Sequence, residues 1–467
     1  MSGRPVIAID PGLCTGCRRC VAVCPVGAIS GPEGRPQTID AGRCLLCGQC
    51  VQVCCAFAAP FDEPPHDLPA LRRERGLPQT AGPVFAAHAR CDLDRAKALL
   101  ADPGRVALVQ CAPAVRVTLA EEFGLPPGSL TPGKLAAALR RLGFAAVYDT
   151  TFAADVTVME ESAELLARLA EGGTLPLFTS CCPAWVRHVE TAWPRLIPHL
   201  SSCKSPQQMA GALFKSYAAR LDGLDPAVVA SVSVMPCTAK KHEAARPELC
   251  SGETGLADVD VVITVAELAA WIKETGIDFA GLPDEPFDAP LGRYSGAGVL
   301  FGASGGVTEA ALRTALALCN EEAAGFGPAS GIVFEAVGPG VSRAAFSLAG
   351  RELAAVTVSG LAHVAPLLEA VEQGKADFQF LEVMCCPGGC VAGGGTPKLL
   401  PGVDVAAAVA ARRAALCAHD EALAVRASHD NPAVTELYAA FLERPLSPVS
   451  HKLLHTTYGG TGQGGHS

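Results

Sequence analysis

Past residue 100, short apolar runs alternate with stretches whose apolar positions recur at helical spacing. GRVALVQ (104–110), FAAVYDT (144–150), LPLFT (175–179), VVASVSVM (228–235), DVDVVITV (258–265), GIVFEAV (331–337) and DFQFLEVM (377–384) predict strands. TPGKLAAALRRLG (131–143) predicts a helix with Thr131 as N-cap, Pro132 in its first turn and Gly143 as its stop. ADVTVMEESAELLARLAEGG (154–173) predicts a second, longer helix. Such alternation implies parallel sheets with right-handed crossovers. An alanine-rich helix (404–426) and NPAVTELYAAFLERP (431–445) follow, and YGGTGQGGHS (458–467) is expected to be a flexible tail.

The first sixty residues follow another rule. IDPGLCTGCRRCVAVCPVGAI (9–29) aligns with IDAGRCLLCGQCVQVCCAFAA (39–59), each carrying Cys-x2-Cys-x2-Cys-x3-Cys. The cysteines are Cys14, Cys17, Cys20 and Cys24, then Cys44, Cys47, Cys50 and Cys54. This is the two-cluster ferredoxin run, in which the fourth cysteine of each set ligates the other 4Fe–4S cluster. Zinc sites space their ligands in separated pairs instead. Cys55 replaces the proline found after Cys24, so register favours Cys54 as ligand while leaving Cys55 open. Residues 60–90, rich in proline and arginine, read as a linker or wrapping segment.

Composition narrows the class. The 467-residue chain is long enough for several domains, and no apolar stretch is long enough to span a membrane. A net charge of −10 argues against general nucleic-acid binding. Residues 1–61 run the other way: Arg4, Arg18, Arg19, Arg35 and Arg43 outnumber Asp10, Glu33 and Asp40, which suits docking of an acidic partner. The N-terminus lacks a secretory pattern, so a cytoplasmic location is expected, and 21 cysteines there point to metal rather than disulfides.

Three more cysteine motifs each follow a predicted strand: TSCCPAW (179–185), MPCTAKKHE (235–243) and EVMCCPGGCVAGGG (382–395). Ligands bind at that edge of open α/β sheets. Converging there, Cys182 or Cys181, Cys237, and two of Cys385, Cys386 and Cys390 would supply four thiolates for a further cubane. The dense glycines of the third motif would let backbone approach a bulky cofactor. No Gly-Lys-Ser/Thr follows them, so a phosphate loop is a weak reading. HKLLH, with His451 and His455, lacks the zincin glutamate and reads as a helix-surface pair.

These three motifs, with the repeat ahead of them, resemble the signature segments of iron-only (FeFe) hydrogenases. The resemblance implies an α/β catalytic domain of two parallel-sheet lobes behind a small α+β ferredoxin-like domain. Its cofactors would be two 4Fe–4S clusters and an H-cluster: a 4Fe–4S cubane joined to a two-iron unit carrying CO, cyanide and an azadithiolate. By motif position Cys182, Cys237, Cys386 and Cys390 would hold the cubane, Cys390 bridging to the two-iron unit. Lys240, Pro113, Ala114, Ser205 and Gln207 match residues that line the cyanides, and Met235, Phe301 and Met384 match apolar contacts. Cys181 would carry protons, with Glu161, Ser201 and Glu164 as a relay and Arg168 at its exit. Because Pro183 starts a helix, its N-terminus should favour the Cys181 thiolate. On spacing alone Glu161, Glu164 and Arg168 read as a solvated helix face.

The implied activity is reversible reduction of protons to H2. Electrons would come from ferredoxin or flavodoxin, maturation enzymes would supply the two-iron unit, and a monomer is expected. A hydrogen sensor and an iron–sulfur assembly protein are the alternatives. Two thiols depart from the family pattern: Cys385 stands where a small residue is expected, and Cys203 sits beside the relay serine. The domain reading is 1–61 ferredoxin-like, 62–90 linker, 91–403 catalytic, 404–457 a helical segment resembling the family's small subunit, and 458–467 tail.

Overall fold

The computed structural model describes residues 4–59, 66–77, 82–251, 255–319, 332–348, 350–400 and 402–459. Four of the predicted strands form a wholly parallel sheet. Its order is Val261–Thr264, Val229–Met235, Val106–Cys111, Ala146–Asp149. A second sheet orders Glu335–Gly338, Val341–Leu348, Arg351–Ser359, Phe380–Met384 and Leu177–Phe178. Its last three strands are parallel, and the first three form an antiparallel extension. The hairpin 341–359 escapes the pattern reading because alanine and serine fill much of it, diluting the apolar signal. The strand read at 331–337 begins only at Glu335, as an exposed antiparallel edge, and Gly331 lies outside the described residues.

The two long helices of the first lobe have clear local causes. Pro132–Leu142 starts on proline and stops at Gly143, whose φ of 105° an L side chain rarely adopts. Thr131 turns its hydroxyl to the Arg116 carbonyl rather than capping the helix. Thr150–Glu171 begins earlier than its periodicity suggests because the Asp149 carboxylate accepts the Thr151 amide at 2.9 Å. This helix is buried over most of its length.

The residues read as a linker belong in part to the first domain. Ala87–Ala89 pairs with Ile7–Ile9, and Val84–Phe85 pairs with Phe57–Ala58, so the ferredoxin-like unit extends beyond residue 61. Between them runs the helix Leu68–Arg75, capped by Asp67. The C-terminal segment forms helices Val405–Ala422, Pro432–Leu437 and Pro448–Leu454. Two buried carboxylates of helix 150–171 clip it down. Asp155 accepts Ser428 and Asn431 at 2.8 and 2.9 Å. Glu160 accepts Tyr438, the Leu446 amide and His455 at 2.6, 2.8 and 3.1 Å. His455 is therefore buried and also meets Ser202, which corrects its reading as half of a surface pair. Residues 460–467 of the expected tail lie outside the described residues. Among the described residues no helix is long and apolar enough to cross a membrane.

Candidate active site

Between the two sheets, beyond the carboxyl ends of their strands, lies an almost wholly apolar cavity of about 80 Å³. Strands 106–111, 229–235 and 380–384 and the turn after 177–178 each deliver their following residues to its wall. Pro113, Ala114, Cys181, Cys182, Gln207, Met235, Cys237, Lys240, Phe301, Met384, Cys386 and Cys390 all line it. Of the residues expected there only Ser205 stands back, its hydroxyl donating to Glu243 at 2.8 Å.

The donor set fits a multi-iron cluster. Burial raises the pKa of the Cys182, Cys237, Cys386 and Cys390 thiols, and at Cys237, Cys386 and Cys390 the charges of neighbouring thiols add to it. Four thiolates could share this site only around a positively charged core. Among the described residues no three His, Cys, Asp or Glu side chains are grouped tightly enough for one metal ion. A zinc site would gather its thiolates within about 2.3 Å of one ion. Thiols around a cavity but too far apart for one ion are what a cubane requires. The Gln207 side-chain oxygen, buried on this wall, has no hydrogen-bond partner within the protein.

Lys240 is fixed by a neighbour the motif reading passed over. Its ammonium donates to both Glu243 oxygens, at 3.0 and 2.9 Å, and to the Cys181 carbonyl at 3.1 Å. Burial disfavours the lysine charge, but Glu243 outweighs it and holds the Lys240 pKa above its ordinary value. Gln207 also donates to Glu243, at 3.1 Å, so one carboxylate orients Lys240, Ser205 and Gln207 together. Its position three residues after Lys240, on the same short helix, was the available signal.

A buried row of polar groups leads away from Cys181. Burial, then the nearby Glu161 charge, push the Cys181 thiol well up, which overturns the expected thiolate. Cys182, not Cys181, is the N-cap of helix Pro183–Ala192, so the helix terminus acts one residue further on. Glu161 makes no well-formed hydrogen bond with either oxygen. Burial and then Glu164 raise its pKa to about 8, against weaker pulls from Ser201 and the Ser180 amide. Ser201 donates to Glu164 at 2.7 Å, and Arg168 donates to Glu164 at 2.6 Å. Glu161 and Glu164 are 1% and 8% exposed, so this is no solvated face. Cys203 lies 3.9 Å from the Glu164 oxygen that Ser201 reaches, Arg168 holding the other. Glu382, a lone acid in an apolar strand, accepts the Gly305 and Thr308 amides at 2.7 and 2.8 Å and so caps helix Gly306–Leu318.

In the N-terminal domain Cys14, Cys17, Cys20 and Cys54 line one small cage. Cys24 does not line that cage and lies near Cys44 and Cys50. Cys54 and not Cys55 lines the cage, while Cys55 packs its sulfur 3.7 Å from Cys17. The second run faces the catalytic lobes. Thr238 donates to the Leu46 carbonyl at 2.6 Å, Gln49 to that of Ala392 at 3.0 Å, and Arg187 to that of Cys44 at 2.9 Å. A Cβ on Gly394 would clash with the Cys47 carbonyl oxygen. That glycine thus admits another backbone, not the cofactor.

A thiol-lined pocket between two α/β lobes, with a ferredoxin-like domain packed against them, defines an iron–sulfur protein. The family models agree: iron-only hydrogenase large subunit, C-terminal domain, matches residues 105–394; iron hydrogenase small subunit matches 406–460; a 4Fe–4S dicluster domain matches 6–55. The chain belongs to the iron-only (FeFe) hydrogenase family, with 4Fe–4S clusters in its first domain and an H-cluster in its catalytic domain. It is 48% identical to the NADP-reducing hydrogenase subunit HndD of Solidesulfovibrio fructosivorans over 77% of this chain and 61% of that one. It is 41% identical to the periplasmic [Fe] hydrogenase large subunit of Nitratidesulfovibrio vulgaris, over 85% and 87% of the two chains. A solved variant of the apo [FeFe]-hydrogenase HydA1 from Chlamydomonas reinhardtii superposes with a TM-score of 0.69 at 41% identity, covering 79% of this chain and 98% of that one. At 30% identity over 76% of the chain stands cytosolic iron–sulfur assembly component 3 of Bos taurus. The chain spans about three fifths of the length of HndD.

Proposed function

We propose that this chain is a catalytically active hydrogenase that interconverts protons and H2, with protons and electrons reaching the cavity by separate routes. The observation that carries this reading is Cys181: its sulfur shares the cavity with the four cubane cysteines, and Glu161 behind it opens a buried row to Arg168. When bound, the H-cluster supplies the metal centre at which two protons and two electrons combine. Cys182, Cys237, Cys386 and Cys390 would hold it. Lys240, with Pro113, Ala114 and Gln207, would orient its cyanides, Ser205 acting only through Glu243, and Met235, Phe301 and Met384 would exclude water around them. Cys181 gives up its thiol proton into the cavity and regains one from Glu161. Glu161 is refilled from Glu164 through the Ser201 hydroxyl, and Arg168 keeps Glu164 charged and in place.

Cys14, Cys17, Cys20 and Cys54 would hold one cluster and Cys24, Cys44, Cys47 and Cys50 a second, and the two would supply the electron route, the first as its entrance. The second abuts the catalytic lobes, which supports that order. Infrared spectroscopy of the matured protein tests the whole reading. Intrinsic CO and cyanide stretches are expected, and their absence would leave an iron–sulfur assembly role as the better account. The partner we favour is ferredoxin or flavodoxin, acting in the cytoplasm on a monomer. Arg18 and Arg19 are exposed beside Cys17, and their charge suits an acidic carrier. Arg18→Glu with Arg19→Glu should slow turnover with ferredoxin about tenfold at low salt and leave turnover with a small dye unchanged. Equal losses with both donors would count against docking there.

A further inference from the structure

We propose that Lys398, just beyond the glycine-rich third motif, lends a positive charge to the ferredoxin-like domain and holds the reduction potential of its clusters up. The inference rests on the reading of the two Cys-x2-Cys-x2-Cys-x3-Cys runs as cluster ligands. Residues 392–398 run along the short helix Gln49–Val53 and are pinned to it. Gln49 donates to the Ala392 carbonyl, and Gln52 donates to the carbonyls of Gly394 and Thr396 at 3.2 and 3.0 Å. At the end of this strap Lys398 reaches back. Its ammonium donates to the carbonyls of Val51 and Gln52, at 2.9 Å to the latter, and lies 4.4 Å from the centre of the Phe85 ring.

Those two carbonyls stand between Cys50 and Cys54, which the repeat assigns to different clusters, so the ammonium sits beside a ligand of each. Its charge is uncompensated: among the described residues its partners are carbonyl oxygens and an aromatic ring. Arg75, which reaches the Phe85 carbonyl from the other domain, is matched by the Asp10 carboxylate instead. Burial draws the Lys398 pKa down to about 8, which leaves the ammonium charged at neutral pH. A reduced cluster carries one more negative charge than an oxidised one, so a fixed cation beside it favours reduction.

The test uses full-length protein carrying its 4Fe–4S clusters, which need no two-iron unit, in redox titrations at neutral pH followed by electron paramagnetic resonance. Lys398→Met should lower the potential of at least one N-terminal cluster. At a fixed potential its oxidised-to-reduced ratio should rise about tenfold, the equivalent of about 59 mV for one electron. Lys398→Gln, whose amide can still donate to a carbonyl but carries no charge, should shift as far as the methionine variant. Lys398→Arg, which keeps the charge, should stay within about threefold of the parent. An unshifted methionine variant, a glutamine variant at the parent value, or an arginine variant shifted as far as methionine overturns the charge assignment. If the parent lacks the signals of two N-terminal clusters, the ligand reading fails and the proposal falls with it.

Discussion

Cys181→Ala is expected to give a fully assembled protein whose hydrogen turnover is lower by roughly 10²–10⁴-fold, the usual worth of a positioned proton donor. Assembly should survive because none of the cubane thiols is touched and the removed sulfur leaves only a small void in an already open cavity. Turnover should not survive because Lys240, the other proton-bearing group nearby, is committed to Glu243 and to the Cys181 carbonyl. The raised thiol pKa sharpens the point: the group stays protonated, so it serves as a donor that is drained and refilled rather than as a standing thiolate. Paired infrared and gas-evolution measurements check this. Intact CO and cyanide bands with near-parent H2 production would sink the relay.

Glu161→Gln should also cut turnover about a hundredfold, since an amide fills the same space and cannot pass a proton on. It carries a second, independent signature in stability. The Glu161 carboxyl titrates near 8 in the folded protein against an ordinary 4.5. Between those values the folded chain keeps a proton that the unfolded chain has released. Unfolding free energy from this group therefore falls as pH rises from about 4.5 to about 8 and levels off above it. Glutamine removes that slope. Urea midpoints of variant and parent should converge near pH 5 and separate by pH 8, with the variant the more resistant there. Parallel midpoints across the range would mean that Glu161 is not held in a proton-retaining site. The groups that set its environment are Glu164, Ser201, the Ser180 amide and, more distantly, Glu382.

Much of the site was legible because iron–sulfur ligation writes itself into local spacing. Two Cys-x2-Cys-x2-Cys-x3-Cys runs and three strand-end motifs led to a cysteine cage and to the cavity wall. What stayed hidden is what depends on distant segments meeting. Asp155 and Glu160 look like surface acids until Ser428, Asn431, Tyr438 and His455 close over them. Glu161 and Glu164 share the helical spacing of a solvated face, and burial alone tells the two apart. The thiolate expected at Cys181 failed for a related reason. Helix polarity can be read from Pro183, but the opposing desolvation and the Glu161 charge belong to the tertiary fold. The hairpin 341–359 was missed because its pairing partners supply the order that its side chains do not advertise.

The helices that follow residue 404 match a small subunit, yet here they are tethered to the same polypeptide whose long helix they grip through Asp155 and Glu160. Joining two parts by a chain replaces a bimolecular equilibrium with an internal one, at an effective concentration on the order of millimolar for a short connection. Dilution therefore cannot strip this belt from the relay helix, and every molecule synthesised carries one belt per catalytic pocket.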